Sequence, residues 1–260
     1  MKQRIATFLL PAIFLILPPG RATAEILPNG EDPQQQPFDF PVQSVVQSTC
    51  PILWYRRAGG DSEIDRLEAL GYDLTVVDAA PALAIANLVN YGALVIAYTG
   101  PGFLAGRQAD IQAFVDQGGG VFIHQPNHAG VLDYTPLGFE VEIADPVWCA
   151  AFSYNATIVQ GTHPVTQGLT DADLSGAFDD VTSLGPAFTV LATNPDCVDP
   201  ALAVGTAGSG RVAFDTGNGN ELSVDPGTEA YWDQLFDWLC TPGPISVAAS
   251  SWGSVKAGYR

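Results

Sequence analysis

The chain has 260 residues, 47% of them hydrophobic, with 27 Gly, 20 Pro and 4 Cys, and sets 28 acidic against 10 basic side chains for a formal charge of -18. That length suits one large α/β domain or two small ones, and the apolar content excludes general disorder. The charge excludes a nucleic-acid binder, which needs a basic face to displace counterions, and a protein that docks on anionic lipid heads.

Met1–Arg4 carries Lys2 and Arg4, Ile5–Pro18 is uncharged and apolar, and Ala22-Thr23-Ala24 offers a small-x-small cleavage site before Glu25. This layout predicts a cleavable secretory signal peptide over residues 1–24. The apolar run is too short to span a bilayer comfortably, and Pro11, Pro18 and Pro19 disfavour a buried helix. No Cys follows the run to carry a lipid anchor. The chain is therefore expected to be secreted, periplasmic or on the cell surface, with no membrane span after processing. Removing residues 1–24 takes Lys2, Arg4 and Arg21 and no acidic residue, so the remainder is more acidic still. Residues 25–49, with Pro28, Asn29, Gly30, Pro33, three consecutive Gln and Pro37, read as an extended leader.

Regular α/β alternation follows. Pro51–Tyr55 is predicted as a short buried strand, Ser62–Leu70 as a helix stopped by Gly71, and Leu74–Asp78 as a second strand. Pro81–Asn90 reads as helical, Ala93–Tyr98 as a third strand, and Phe103–Gln117 as an amphipathic helix closed by Gly118-Gly119-Gly120. Val121–His124 is the fourth strand. Short continuous apolar runs separated by helices predict a parallel sheet covered on both faces. The second half is less regular: Phe139–Ala144, Ala187–Thr193 and Arg211–Asp215 are strand candidates. Tyr231–Leu239 closes the domain as a helix with Trp232, Leu235, Phe236 and Leu239 on one stripe. The domain is thus expected over residues 50–240. Residues 241–260, with Trp252, Lys256 and Arg260, read as an appended tail for a sorting or surface partner, or as a disordered end.

Export makes the cysteines readable. Cys50, Cys149, Cys197 and Cys240 show no Cys-x-x-Cys pair and no His at zinc-finger spacing, so two disulfides are expected, with three pairings open. We favour Cys50–Cys240 with Cys149–Cys197. In a parallel sheet the helices run antiparallel to the strands, so the last helix ends near where the first strand begins.

Three stretches carry a resemblance. Gln117-Gly-Gly-Gly-Val-Phe-Ile-His124 is a Gly-rich turn, an apolar strand and a His. Thr162-His163-Pro164-Val165-Thr166-Gln167-Gly168-Leu169 and Gly208-Ser209-Gly210-Arg211-Val212, running on to Gly219-Asn220, follow it. In order and spacing they resemble the trehalose-utilisation (ThuA-like) family within the class I glutamine-amidotransferase-like superfold, over residues 51–240. The resemblance implies a flavodoxin-like three-layer α/β sandwich with a mainly parallel sheet. Glutaminases of that superfold need a Cys nucleophile on the turn after the Gly-rich strand. Here the turn reads His124-Gln125-Pro126-Asn127-His128, so glutaminase chemistry is not expected. The family's Gly-His after the Arg-Val strand is also replaced, by Gly219-Asn220.

Open parallel sheets bind ligands beyond the carboxyl ends of their strands. The groups expected there are Arg56 and Arg57, Thr99, His124, Gln125, Asn127 and His128, and then Asp215, Asn218 and Asn220. They suit hydrogen bonding to a polyhydroxylated ligand or holding one divalent ion; no other cofactor is expected. The plainer reading has His124 donating to a backbone carbonyl and His128 solvated. His163, before Pro164, is expected to pack or cap a turn. Asp171, Asp173, Ser175 and Asp179 sit at EF-hand-like spacings around Gly176. Position 12 is Thr182 instead of the usual bidentate Glu, which leaves at most a weak calcium site beside the acidic-loop reading. Asn155-Ala156-Thr157 is a glycosylation sequon, informative only in a source that glycosylates exported chains.

The expected function is an exported, non-glutaminase ThuA-like domain that binds a carbohydrate-like or other small polar ligand. As an enzyme it would be a sugar-related hydrolase or isomerase, with His124 or His128 as general base and Asp215 or the amides orienting substrate. The alternative is an inert structural or interaction module of a cell-surface assembly. A crevice plugged by Tyr98, Phe103 or Tyr134 would favour that module.

Overall fold

The computed structural model describes residues 50–57, 61–104, 106–125, 131–144, 155–174, 180–195, 198–216 and 226–241, all within one unit, Ser44–Arg260. The predicted signal peptide and leader, Cys149, Cys197 and the tail after Thr241 lie outside the described residues.

The first half runs β1 (Ile52–Arg56), α1 (Asp61–Leu70), β2 (Leu74–Val77), α2 (Ile85–Leu88), β3 (Ala93–Ala97), α3 (Gln108–Asp116) and β4 (Gly120–His124). Then come β5 (Val131–Asp133), β6 (Val141–Ala144), β7 (Thr157–Ile158), β8 (Asp180–Leu184), β9 (Phe188–Thr193), β10 (Pro200–Ala207), β11 (Gly210–Asp215) and α4 (Pro226–Cys240). One eight-stranded sheet has the order β2-β1-β3-β4-β11-β10-β9-β7, and β5-β6-β8 form a small antiparallel sheet. The five strands from β2 to β11 are parallel and follow the 2-1-3-4-5 order of flavodoxin-like sheets.

Two expectations need correction. The large sheet is mixed, because β10, β9 and β7 extend it antiparallel beyond β11. The apolar run of β10 is Ala- and Gly-rich, a composition poor in strand propensity, and it is a strand only because β9 and β11 flank it. Its two-residue link to β11 places Gly208 at φ +57°, the positive φ that a type II′ hairpin turn requires at its first position. The two long predicted helices are also broken. Gly106, at φ +82°, separates a 3-10 turn (Pro101–Leu104) from α3, and extended Ala84 separates a 3-10 turn (Ala80–Leu83) from α2.

Alternate residues of the central strands feed two apolar clusters. Ile52, Trp54, Val95, Phe122 and Ala213 pack with Leu67 of α1 and with Trp232, Leu235, Phe236 and Leu239 of α4. Leu53, Tyr55, Ile96, Ile123 and Phe214 pack with Ile111, Phe114 and Val115 of α3 and with Ile143 and Val181 of the small sheet. Cys50 and Cys240 are joined, Cα to Cα 6.0 Å, so the disulfide ties the entry of β1 to the end of α4.

On α4, Asp233 is 8% exposed and accepts a hydrogen bond from the Tyr72 hydroxyl. Burial, with the neighbouring Asp237 carboxylate, pushes its pKa up to about 6. A carboxyl raised in the folded state contributes stability that is full below the unfolded value and is lost as pH rises through about 6. Asp233→Asn keeps the acceptor for Tyr72 and removes the charge. It is expected to raise stability by about 1–2 kcal/mol near about pH 8 and by nothing near about pH 4, solvent screening trimming the full two-unit value. Urea denaturation at the two pH values checks this.

Candidate functional site

The site grows out of strand alternation. Counting in twos from Phe122 along β4 and from Ala213 along β11 brings His124 and Asp215 onto the sheet face that α1 and α4 cover. The ladder sets the two side by side, with small Ala97 of β3 on the other flank of His124. His124 is fully buried and Asp215 is 1% exposed. The imidazole sits among three rings, its centroid 5.6 Å from Tyr98, 5.5 Å from Phe122 and 5.5 Å from Trp232.

Two carboxylates act on this imidazole. The Asp215 Oδ2 lies 4.0 Å from Nδ1 and accepts a 2.7 Å hydrogen bond from the Tyr231 hydroxyl. Glu63 of α1, 1% exposed, accepts a 2.5 Å bond from the Tyr98 hydroxyl. Neither ring nitrogen of His124 has a hydrogen-bond partner among the described residues. Burial holds the His124 pKa below its ordinary value, opposed by the charges of Asp215 and then Glu63. Burial, and then Asp215, raises the Tyr231 phenol well above its usual range. Burial therefore favours the neutral imidazole, while Asp215 and Glu63 favour its protonated form.

Backbone strain falls at the same place. Tyr98, the first residue after β3, has φ +50°, a conformation that costs a non-glycine residue of order 1–3 kcal/mol and persists only where its surroundings over-determine it. Its amide donates to the His124 carbonyl at 3.0 Å, its hydroxyl to Glu63, and its ring closes over the imidazole.

Of the residues expected at the carboxyl ends, the fold brings His124, Gln125, Thr99 and Asp215 together. The Gln125 side-chain amide donates to the Thr99 carbonyl at 2.7 Å, leaving its Oε1 buried without a partner. The Thr99 hydroxyl donates to the Ala97 carbonyl and accepts from the Arg57 amide, so it braces the loop. Arg56 ends β1 half-buried, and the Arg57 guanidinium lies over exposed Phe103 at 4.0 Å. His128, Asn127, Asn218 and Asn220 lie outside the described residues. Asp171 and Asp173 turn to local amides, those of Ile158 and Thr170, while Ser175 and Asp179 lie outside the described residues. Among the described residues no group of three His, Cys, Asp or Glu could hold a metal ion. No described helix is long and apolar enough to cross a membrane.

Sequence reasoning missed Glu63 and Tyr231 and gave Tyr98 only the part of a plug. A signal for Glu63 was available: it stands four residues before Leu67, on the buried stripe of α1.

No family model matches the chain, and no curated protein matches it. Solved structures do. The cytoplasmic protein STM3548 of Salmonella typhimurium overlays with TM-score 0.55 at 15% identity, covering 75% of this chain and 100% of that one. A GMP synthase-like protein from Thermoplasma acidophilum overlays with TM-score 0.50 at 13% identity, covering 80% and 98%. One described as ThuA-like, from Bacteroides uniformis, reaches only TM-score 0.47 at 12% identity over 73% and 90%, too loose to carry an argument. The chain shares the fold of the first two. Identities this low speak to fold alone.

Proposed function

We infer that this chain is an exported ThuA-like domain without glutaminase chemistry that binds a carbohydrate-like or other small polar ligand beyond the carboxyl ends of β1, β3, β4 and β11. The observation that carries the reading is the buried His124 near Asp215 and Glu63, neither ring nitrogen hydrogen-bonded among the described residues, beside a strained Tyr98. Unpaired buried polar atoms cost of order 1–3 kcal/mol each, and a fold keeps them where a ligand or a proton makes use of them. His124 is the general base, Asp215 and Glu63 hold its charged form, and Gln125 offers its free oxygen to a hydroxyl. The two described cysteines are bonded to each other, and the turn from His124 to His128 holds no cysteine, which supports a non-glutaminase. The flavodoxin-like three-layer arrangement and the signal-directed export belong to the same reading.

A second reading, an inert surface module, draws on one observation: Tyr98 encloses His124 so fully that the ring has no exposure. A thermal-shift screen of the full chain against neutral sugars, sugar acids and divalent metals separates the two. The ligand reading expects a stabilisation of about 2–4 kcal/mol at 100–1,000 times the dissociation constant, lost in His124→Ala. A flat screen favours the inert module.

A further inference from the structure

Two of the three motif stretches meet far from His124. The turn Thr162–Gly168 and the start of β11 converge on the last turns of α4 around a cleft of about 600 Å³, lined by Pro164, Gln167, Arg211, Gln234, Asp237 and Trp238. Arg211 pairs in register with Gly120, the first residue of β4, whereas His124 is its last. At a strand rise of about 3.3 Å per residue, the two places lie about 13 Å apart along the sheet.

The walls of the cleft are fixed by contacts that engage Arg211 only in part, and Asp237 is exposed. Trp238 is held by the Arg211 guanidinium, 5.0 Å from its ring centroid, and by the His163 ring at 5.5 Å. Arg211 Nη1 donates to the Trp238 carbonyl at 2.5 Å. The Gln234 side-chain amide donates to the Gln167 carbonyl at 3.1 Å, and Gln234 Oε1 is buried without a hydrogen-bond partner among the described residues. In a chain with 28 acidic residues, Arg66 and Arg107 each pair with a carboxylate, yet among the described residues Arg211 does not, although Asp237 lines the same cleft. A guanidinium and a carboxylate that share a cleft without meeting each other are complementary to a molecule carrying both charges. Arg211 can take a carboxylate through its remaining donors, Asp237 can take an ammonium, and Gln234 Oε1 can accept from a polar side chain.

We propose that this cleft is a second ligand site, distinct from the His124 cluster, and that it takes a free α-amino acid with a small polar side chain. Neither charge alone explains the arrangement, because an anionic ligand meets Asp237 and a cationic one meets Arg211.

Saturation-transfer NMR and calorimetry on the full chain, with L-serine and L-asparagine as probes, test the proposal. The methyl esters lack the carboxylate charge and the N-acetyl derivatives lack the ammonium. Wild-type protein should bind both amino acids and lose at least 10-fold in affinity for either derivative. Arg211→Gln should erase the preference over the ester, and Asp237→Asn the preference over the N-acetyl form, while His124→Ala changes neither. Failure of both amino acids to bind wild-type protein overturns the proposal. So does binding that is indifferent to the derivatives, or a preference that survives both substitutions. The wild-type comparison decides even if Arg211→Gln does not fold, and none of these results bears on ligand binding at His124.

Discussion

Cys50→Ser with Cys240→Ser is expected to lower stability by about 3–5 kcal/mol. The bridge closes a separation of 190 residues, and the chain-entropy model assigns about 5 kcal/mol to a loop of that size, trimmed by residual structure in the unfolded chain. For a domain of this length each kcal/mol moves the melting temperature by about 2–4 °C, so a fall of about 6–20 °C is expected. The cost is concentrated where the two ends of the domain meet, since β1 is held between β2 and β3 and α4 packs on that face of the sheet through Trp232, Leu235, Phe236 and Leu239. Calorimetry of the double variant beside the oxidised protein measures the effect. A loss under about 1 kcal/mol would mean that packing of α4 alone holds the ends together.

His124→Phe is expected to do the opposite to stability and to abolish ligand binding. The imidazole is surrounded by Tyr98, Phe122 and Trp232, and its two nitrogens have no hydrogen-bond partner among the described residues. A phenyl ring suits aromatic surroundings and removes two unpaired polar atoms, a gain of about 1–3 kcal/mol for each, offset by the cost of seating the larger ring. The variant should also change the response to acid. Because the folded pKa of His124 is depressed, its contribution is present above the unfolded value of about 6.5 and is lost as pH falls from there through the lower folded value. His124→Phe removes that loss, so its stability should fall less between about pH 7 and pH 5. A variant that is both destabilised and as acid-sensitive as the parent would show that His124 is an ordinary structural residue. A stabilised variant that still binds would move the ligand site elsewhere.

Much of the first half was legible along the chain. Runs such as Ala93–Ala97 and Val121–His124 announce buried parallel strands because both faces of such strands must be apolar. Among three open pairings the bridge between Cys50 and Cys240 was favoured by chain direction, since a helix returning antiparallel to the strands ends near where β1 begins, and the structure joins the two. The second half was harder to read for a physical reason. Strand β10 forms by pairing with its sequence neighbours β9 and β11, and Ala201–Gly205 carries no local preference for it, whereas the more β-prone β9 was read as Ala187–Thr193.

The site divides in the same way. Residues at strand ends, His124, Gln125, Thr99 and Asp215, could be named in advance because the ends of parallel strands are where such sheets present chemistry. Tyr231 could not, and Glu63 only as a position on the buried stripe of α1. They reach His124 and Asp215 from helices, and only the docking of α1 and α4 on the sheet decides which turn of each faces β4 and β11. By itself the sequence determined the strand alternation, the acidic balance, the absence of a cysteine beside His124, and which side chains stand at the strand ends. The tertiary structure alone decided that two carboxylates flank one imidazole within an aromatic enclosure, and that Arg211 and Asp237 share a cleft without pairing. Local physics acts through spacing along the chain, whereas desolvation and charge pairing depend on distances that exist only once the elements have packed.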